Sequence, residues 1–451
     1  MQHIGTDVLI IGGGPAAMVT AATAREEYPE KSITLIKKEA VGMVPCGIPY
    51  IFGTTLGSSE KNAMACGGPL ADSIDILVDE VKNVDIAGKS VTTRDKHIHF
   101  DKLVFATGSV PFVHRSFEAA LPLENVFALS KEKEKIDELK RYLESCRRVI
   151  IVGTGFIGVE MATELCGVGK EVKIVGGRYI LAGSFDSDMA VEADAIMREM
   201  GIVPVLGQHA VRVEEEGGKA TGVVLEDGSL VAGDVIILAT GYRPNTELAA
   251  SAGLKLARYG GIWVDEYMRT RDKDIFALGD CCGRRDFITR DPSKVMLAST
   301  SAAEARVAGC SLFGLRHLKG FNGTIAIFST MIGDRAFACA GVTEARAQAE
   351  QIDCVSGTFT GMNRHPGTIP DASKQSVKLI ALRTSGQIIG GQVIGDREAG
   401  EIINIIGLAI EAELTAHQLM SLQVATQPLL TPAPTTYPII KAAQKIVLGN
   451  C

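Results

Sequence analysis

The sequence predicts an α/β fold: two Rossmann-like nucleotide-binding domains followed by a C-terminal α+β domain. Three observations predict it. Two glycine-rich turns, "IIGGGPAA" and "IVGTGFIG", each sit between an apolar strand and a helix. Two later segments, "LVFATGSVP" and "VIILATGYRP", repeat a strand, Ala-Thr-Gly and a nearby proline in the same order. After about Asn322 the pattern changes to short β-like runs and then helices. Two paired features in one order argue for tandem related domains.

The elements follow in chain order. Val8–Ile11 is apolar on both faces, as a buried parallel strand requires. An alanine-rich helix and the strand "SITLIK" complete a βαβ unit. In Gly12-x-Gly14-x-x-Ala17 the first glycine allows the tight turn and the second lets backbone approach a pyrophosphate. The third position packs helix on strand, and alanine is tolerated there. The ribose carboxylate expected at the end of the second strand is replaced by Lys37, which leaves Glu39 or a Lys37–phosphate contact as alternatives. Gly153-x-Gly155-x-x-Gly158, with Glu160 two residues on and the strand "EVKIV" after it, is a full second fingerprint. That strand ends in Gly176-Gly177 rather than an acid, so NADH and NADPH both stay open; Arg178 is either a partner for a 2′-phosphate or a solvated loop residue, the second slightly favoured. Asp280 follows Gly279 at the end of a third apolar strand, where a carboxylate suits ribityl or ribose hydroxyls. The charged run "EKEKIDELKRYLE" predicts a solvated helix with i,i+4 pairs. "GTIAIFST", "VKLIAL" and "QIIGGQVIG" predict strands, and helical patterns start near Glu398 and Thr415. The proline-rich stretch "VATQPLLTPAPTTYPII" predicts extended chain rather than helix.

Composition narrows the function. The 451 residues are 46% hydrophobic and 22% charged, with net charge −7, so neither nucleic acid nor an anionic membrane is an expected partner. "MQHIGTDVLIIGGG" has no basic leader, and no apolar run reaches about 18 residues. A cytoplasmic protein is expected. None of the ten cysteines forms C-x-x-C, so no metal site is expected, and most should be buried thiols. Adjacent Cys281-Cys282 reads as packing beside Asp280. Cys46 stands apart in "MVPCGIPY". Pro45 and Pro49 stiffen the backbone, Gly47 allows close approach to a flat ring, and a helix N-terminus would favour the thiolate. With no cysteine partner two to five residues away, Cys46 is suited to a mixed adduct with an external sulfur.

Together these residues resemble the FAD-dependent pyridine nucleotide–disulfide oxidoreductases over essentially the whole chain, and in particular their single-cysteine branch. That branch includes coenzyme A disulfide, persulfide and polysulfide reductases and NADH oxidases. "CGIPY" and "ALGDCCGRRDFIT" are most similar to the first group. The resemblance implies a glutathione-reductase-like arrangement. Residues 1–115 and 245–320 would bind FAD, 116–244 NAD(P)H, and 321–451 would form a homodimer. It implies Gly12, Gly14, Ala17, Lys37, Pro45, Val81, Thr107, Gly108 and Asp280 at FAD. It implies Gly153, Gly155, Gly158, Glu160 and Gly241 at NAD(P)H, with Phe156 gating the nicotinamide, and Cys46 as the redox residue. The implied activity is NAD(P)H-driven reduction of a disulfide, persulfide or polysulfide, on a small sulfur substrate possibly linked to coenzyme A. Three alternatives share the same glycine turns: an oxidase reducing oxygen through a cysteine sulfenate, electron transfer to a protein partner, and a redox-sensing binding module. The family's peroxidase histidine is replaced by Pro15. Its two coenzyme A-site tyrosines are replaced within Arg364-His365-Pro366-Gly367 and Ala425-Thr426-Gln427-Pro428. His365 is then a candidate proton donor to a leaving thiolate, with a surface-loop histidine as the alternative. His417 reads as structural.

Overall fold

The computed structural model describes residues 1–64, 72–316 and 320–449. It divides into two compact units: 1–121 with 127–145 and 240–324, and 122–126 with 146–239 and 325–451.

In the first unit the strand Gln2–Ile11 lies parallel between Ile33–Lys37 and Lys96–Phe105. Asp75–Val78 extends one side, and Ile275–Ala277 pairs parallel with Lys96–Phe105. An antiparallel ribbon, Ser90–Thr92 with Asn83–Asp85, flanks the other edge. The fully apolar run is buried as its pattern requires: Val8, Leu9 and Ile10 are each 0% exposed. The helix Pro15–Glu27 covers one face through Ala17, Ala21 and Ala24, small side chains that let it lie close to the sheet. Ala298–Ser311 packs beside it. The charged run forms the helix Lys133–Glu144, anchored by Ile136, Leu139 and Leu143, with Lys133 and Asp137 paired at 2.6 Å.

In the second unit Val203–Val205, Glu171–Val175, Arg148–Val152 and Val235–Leu238 lie side by side in parallel. A three-stranded antiparallel sheet, Ala210–Glu216, Lys219–Leu225 and Leu230–Ala232, follows. The C-terminal region is a five-stranded antiparallel sheet in the order Phe328–Ile332, Arg335–Gly341, Ile388–Gly395, Lys374–Leu382, Cys354–Met362. Two of these strands, "RAFACAG" and "CVSGTFTGM", carry too many small or polar residues to stand out as strands in the sequence. The helices Ala399–Glu411 and Ala416–Met420 start where expected, the second with a capping box from Thr415 and Gln418. The proline-rich stretch, residues 424–440, has no α-helix through Tyr437 and one 3-10 turn, Pro434–Thr436; only its last three residues enter the helix Pro438–Gly449. Proline at the first helical position sacrifices no hydrogen bond, and Ile439, Ala442, Ala443 and Ile446 bury one face of that helix. No helix among the described residues is long and apolar enough to cross a membrane.

Candidate functional site

The two glycine turns are built alike. Gly12 has φ +135° and Gly153 φ +123°. A Cβ on Gly12 would lie 2.1 Å from Ala106 O, and one on Gly153 2.3 Å from Ala239 O. Only glycine fits that approach to the neighbouring strand. Gly14 and Gly155 then cap the helices Pro15–Glu27 and Phe156–Gly167, with no atom within 4 Å of where a Cβ would sit. Each cradle therefore offers open space before the first N–H groups and the positive dipole end of a helix, which fits a pyrophosphate.

The first unit brings most of the expected FAD residues together. Thr107 donates from Oγ1 to Asn245 O at 2.7 Å, beside Gly108. The two Ala-Thr-Gly segments meet directly: Ser109–Pro111 and Tyr242–Pro244 pair antiparallel, and Thr240 Oγ1 donates to Phe112 O. Asp280 Oδ2 accepts from Ser109 Oγ at 2.8 Å and Lys131 Nζ at 3.0 Å. Burial opposes its ionisation, but Lys131 and Arg284 outweigh burial and hold its carboxyl below the usual range. Lys131 also lies 4.5 Å from the centre of the Tyr242 ring, whose hydroxyl burial pushes up. Lys131 stands just ahead of the charge run that begins at Glu132, and nothing local in the sequence marks it. Lys37 is 5% exposed, donates to Ala40 O at 3.0 Å and lies against Gly13. Glu39 is exposed. Val81 is half-buried against the core around Leu9 and Ile36.

Cys46 is exposed, in a one-turn 3-10 segment, Pro45–Gly47, followed by a second, Pro49–Ile51. Both segments are single 3-10 turns rather than an α-helix, so no α-helix N-terminus stands here to favour the thiolate; Pro49 has no N–H to continue a helix. The loop joins the first cradle through Gly42, where a Cβ would lie 3.4 Å from Gly13 O. Asn62 clamps the turn. It is 3% exposed and donates from Nδ2 to Val44 O at 3.0 Å. A Cβ on Gly47 would lie 2.0 Å from Asn62 Oδ1. Asn62 is a positioning residue that sequence reading missed, since it lies 16 residues beyond the cysteine. Cys281 and Cys282 are buried, with thiols pushed up chiefly by burial. Cys339 is likewise pushed up to about 12 by burial. Such thiols pack rather than react. Cys66 and Cys451 lie outside the described residues.

In the second unit Phe156 stacks on Phe328, with ring centres 4.7 Å apart and planes 4° apart, and Glu160 accepts from Thr330 Oγ1 at 2.9 Å. Phe156 and Glu160 are i,i+4 on one helix face, and Phe328 and Thr330 are i,i+2 on one strand face. Gly158 permits close helix packing, since a Cβ would lie 2.0 Å from Gly153 O. Gly176 and Gly177 stand at the end of the next strand, and Arg178 is exposed. Gly241, expected at NAD(P)H, belongs to the first unit, where its O accepts from Phe112 N. His365 is half-buried, with Nδ1 2.9 Å from Thr431 O. A carbonyl only accepts, so Nδ1 carries the proton and Nε2 is left as the second ring site. His417 is exposed.

Two nucleotide cradles and an exposed, positioned cysteine define a two-nucleotide redox enzyme. The chain belongs to the pyridine nucleotide-disulphide oxidoreductase family: that description matches residues 6–305, and the family's dimerisation domain matches 327–438. It is an oxidoreductase whose cofactors are FAD and NAD(P)H, and the residues of both cradles fit such groups. It is 30% identical over 432 residues to an NADH oxidase of Methanocaldococcus jannaschii, covering 93% of this chain and 94% of that protein. It is 30% identical over 406 residues to an NAD(P)H coenzyme A polysulfide/persulfide reductase of Pyrococcus horikoshii, covering 87% and 88%. Among solved structures, an NAD-dependent persulfide reductase from A. fulgidus superposes with TM-score 0.89 at 28% identity, covering 98% of this chain and 83% of that one.

Proposed function

We propose that this enzyme uses NAD(P)H to cleave a sulfur–sulfur bond of a small persulfide, polysulfide or disulfide through Cys46. The observation that carries the proposal is the exposed Cys46 on a turn clamped by Asn62, with the next cysteine twenty residues further along the sequence. For a persulfide the balance is RSSH + NAD(P)H + H⁺ → RSH + H₂S + NAD(P)⁺. The Cys46 thiolate attacks the sulfane sulfur, the S–S bond breaks, and RS⁻ leaves and takes a proton. Cys46 then holds a persulfide, Cys–S–SH; two electrons cleave its S–S bond to the Cys46 thiolate and HS⁻, which takes the second proton and leaves as H₂S. Bound FAD supplies the relay of those electrons from the nicotinamide.

The residue roles belong to the same proposal. Gly12, Gly14, Ala17, Lys37, Pro45, Val81, Thr107, Gly108 and Asp280 hold FAD, within a domain of residues 1–115 and 245–320. Gly153, Gly155, Phe156, Gly158, Glu160 and Gly241 serve NAD(P)H, within 116–244. His365, in a dimerisation domain of 321–451, donates the proton to the leaving thiolate. The enzyme works as a cytoplasmic homodimer on a small sulfur substrate, for which a coenzyme A-linked persulfide is one candidate. The relatives named for coenzyme A persulfide and NAD-dependent persulfide reduction support the substrate class.

A second reading, reduction of oxygen by NADH through a Cys46 sulfenate, is favoured by the similarity to the M. jannaschii NADH oxidase. Anaerobic NAD(P)H oxidation with coenzyme A persulfide separates the two. Turnover that drops at least about a hundredfold in Cys46→Ser supports sulfur reduction. Slow anaerobic turnover in both proteins, with fast oxygen consumption by the unmodified enzyme, supports the oxidase.

A further inference from the structure

The far end of the first sheet carries an unassigned feature. His97 and His99 sit two residues apart on the strand Lys96–Phe105, so both point to the same face. His3, on the parallel strand Gln2–Ile11, lies directly opposite His97. The opposite face of that strand is core: Ile98 is 0% exposed and Phe100 3%. Three imidazoles are thus gathered on one outward-facing patch. The His3 and His97 ring centres are 5.2 Å apart, and those of His97 and His99 are 4.6 Å apart. One ring nitrogen from each of the three lies within 4.8 Å of the other two. Nitrogens sharing one tetrahedral zinc ion stand about 3.3 Å apart, so small side-chain rotations close the set.

Two further details fit a ligand. His97 Nδ1 is buried and has no hydrogen-bond partner among the described residues. A neutral ring nitrogen in that state is satisfied by coordination or by a donor the protein does not provide. Gly5 is the strand partner of His99, and no atom lies within 4 Å of where its Cβ would be. The patch therefore has open space beside the rings, enough for an ion with a water as fourth ligand. A cysteine-pair search overlooks this set because its members come from two strands more than ninety residues apart in sequence.

We propose that His3, His97 and His99 form a site for a late first-row divalent cation of the zinc type. Three imidazoles and an open position match the ligand preference of such ions, and exclude magnesium and calcium, which prefer oxygen. The site is independent of the sulfur chemistry. His3 stands nine residues before Gly12 on an extended strand, roughly 25 Å or more from that turn.

The test is equilibrium dialysis of untagged, FAD-loaded enzyme against micromolar Zn²⁺, with metal counted by mass spectrometry. Unmodified enzyme, Cys46→Ser and the double variant His3→Ala/His99→Ala are compared. The double variant removes two exposed side chains and leaves the core intact. The expected result is one Zn²⁺ per chain in the first two proteins, at least about tenfold weaker binding in the double variant, and equal FAD content throughout. Zn²⁺ should also raise the melting temperature of the unmodified enzyme and not that of the double variant. Undiminished binding in the double variant overturns the proposal. So does loss of binding in Cys46→Ser, or less than half an equivalent in the unmodified enzyme.

Discussion

The two glycine turns begin from the same geometry and diverge in what surrounds them. Both first glycines sit at φ near +130° against a carbonyl, and both helix caps face open space. At the third position the first turn accepts Ala17, fully buried, while the second demands Gly158. The helix from Phe156 therefore sits closer to its own turn. Lys37 lies across the first turn, where the second has Gly176 and Gly177. A cation and two bare glycines present different surfaces to a nucleotide, although the pyrophosphate cradle is common to both. The motif specifies the cradle; its neighbours specify which molecule the cradle suits.

The largest effects are expected at the element the two turns share, the first glycine. Gly12→Ala and Gly153→Ala each force a Cβ into a backbone carbonyl and strain a positive φ. Each should cost about 3 kcal/mol or more in urea unfolding. If the turns serve different nucleotides, Gly12→Ala also loses bound FAD, while Gly153→Ala keeps it and raises the KM for NAD(P)H. Equal FAD loss in both would erase the distinction.

A smaller effect sharpens the third position. Gly158→Ala should destabilise by about 1–3 kcal/mol through overpacking against Gly153 O. Ala17→Gly should cost about 1 kcal/mol, from helix propensity and a small lost contact. Calorimetric melts of the two variants check the asymmetry.

Asp280 and Lys131 belong to the first unit alone. Because the folded carboxyl is held below its ordinary value of 3.8, its contribution is present above that value and lost as pH falls through the folded one. Melting curves should show enzyme with Asp280 ahead of Asp280→Asn by a constant margin above about pH 5, narrowing below about pH 4. A margin that grows on acidification would contradict the assignment. The smallest effect belongs to the second unit: Phe156→Leu removes the stack on Phe328 and should cost about 1 kcal/mol. It should raise the KM for NAD(P)H while leaving FAD content unchanged.

Much of this was legible in the sequence. The glycine turns, the strands beside them and the paired Ala-Thr-Gly segments each carry a local pattern, because a βαβ turn uses residues within six positions of one another. Cys46 announced itself through the prolines around it. The other participants had no local signature. Asn62 reads as an ordinary polar residue, Lys131 as one more lysine beside a charge run, and Phe328 as one aromatic in a β-like stretch. His3 and His97 are unrelated in sequence. The helix Pro438–Gly449 was obscured by prolines that precede or open it without breaking it.

Which backbone turns form follows from local sequence, because glycine sterics and apolar runs act over a few residues. What stands opposite them is set by the folded chain: Asn62 against Gly47, Lys131 on Asp280, Phe328 on Phe156, His3 across from His97. These pairings arise from strand register and helix packing, which bring together groups that distance along the chain keeps apart.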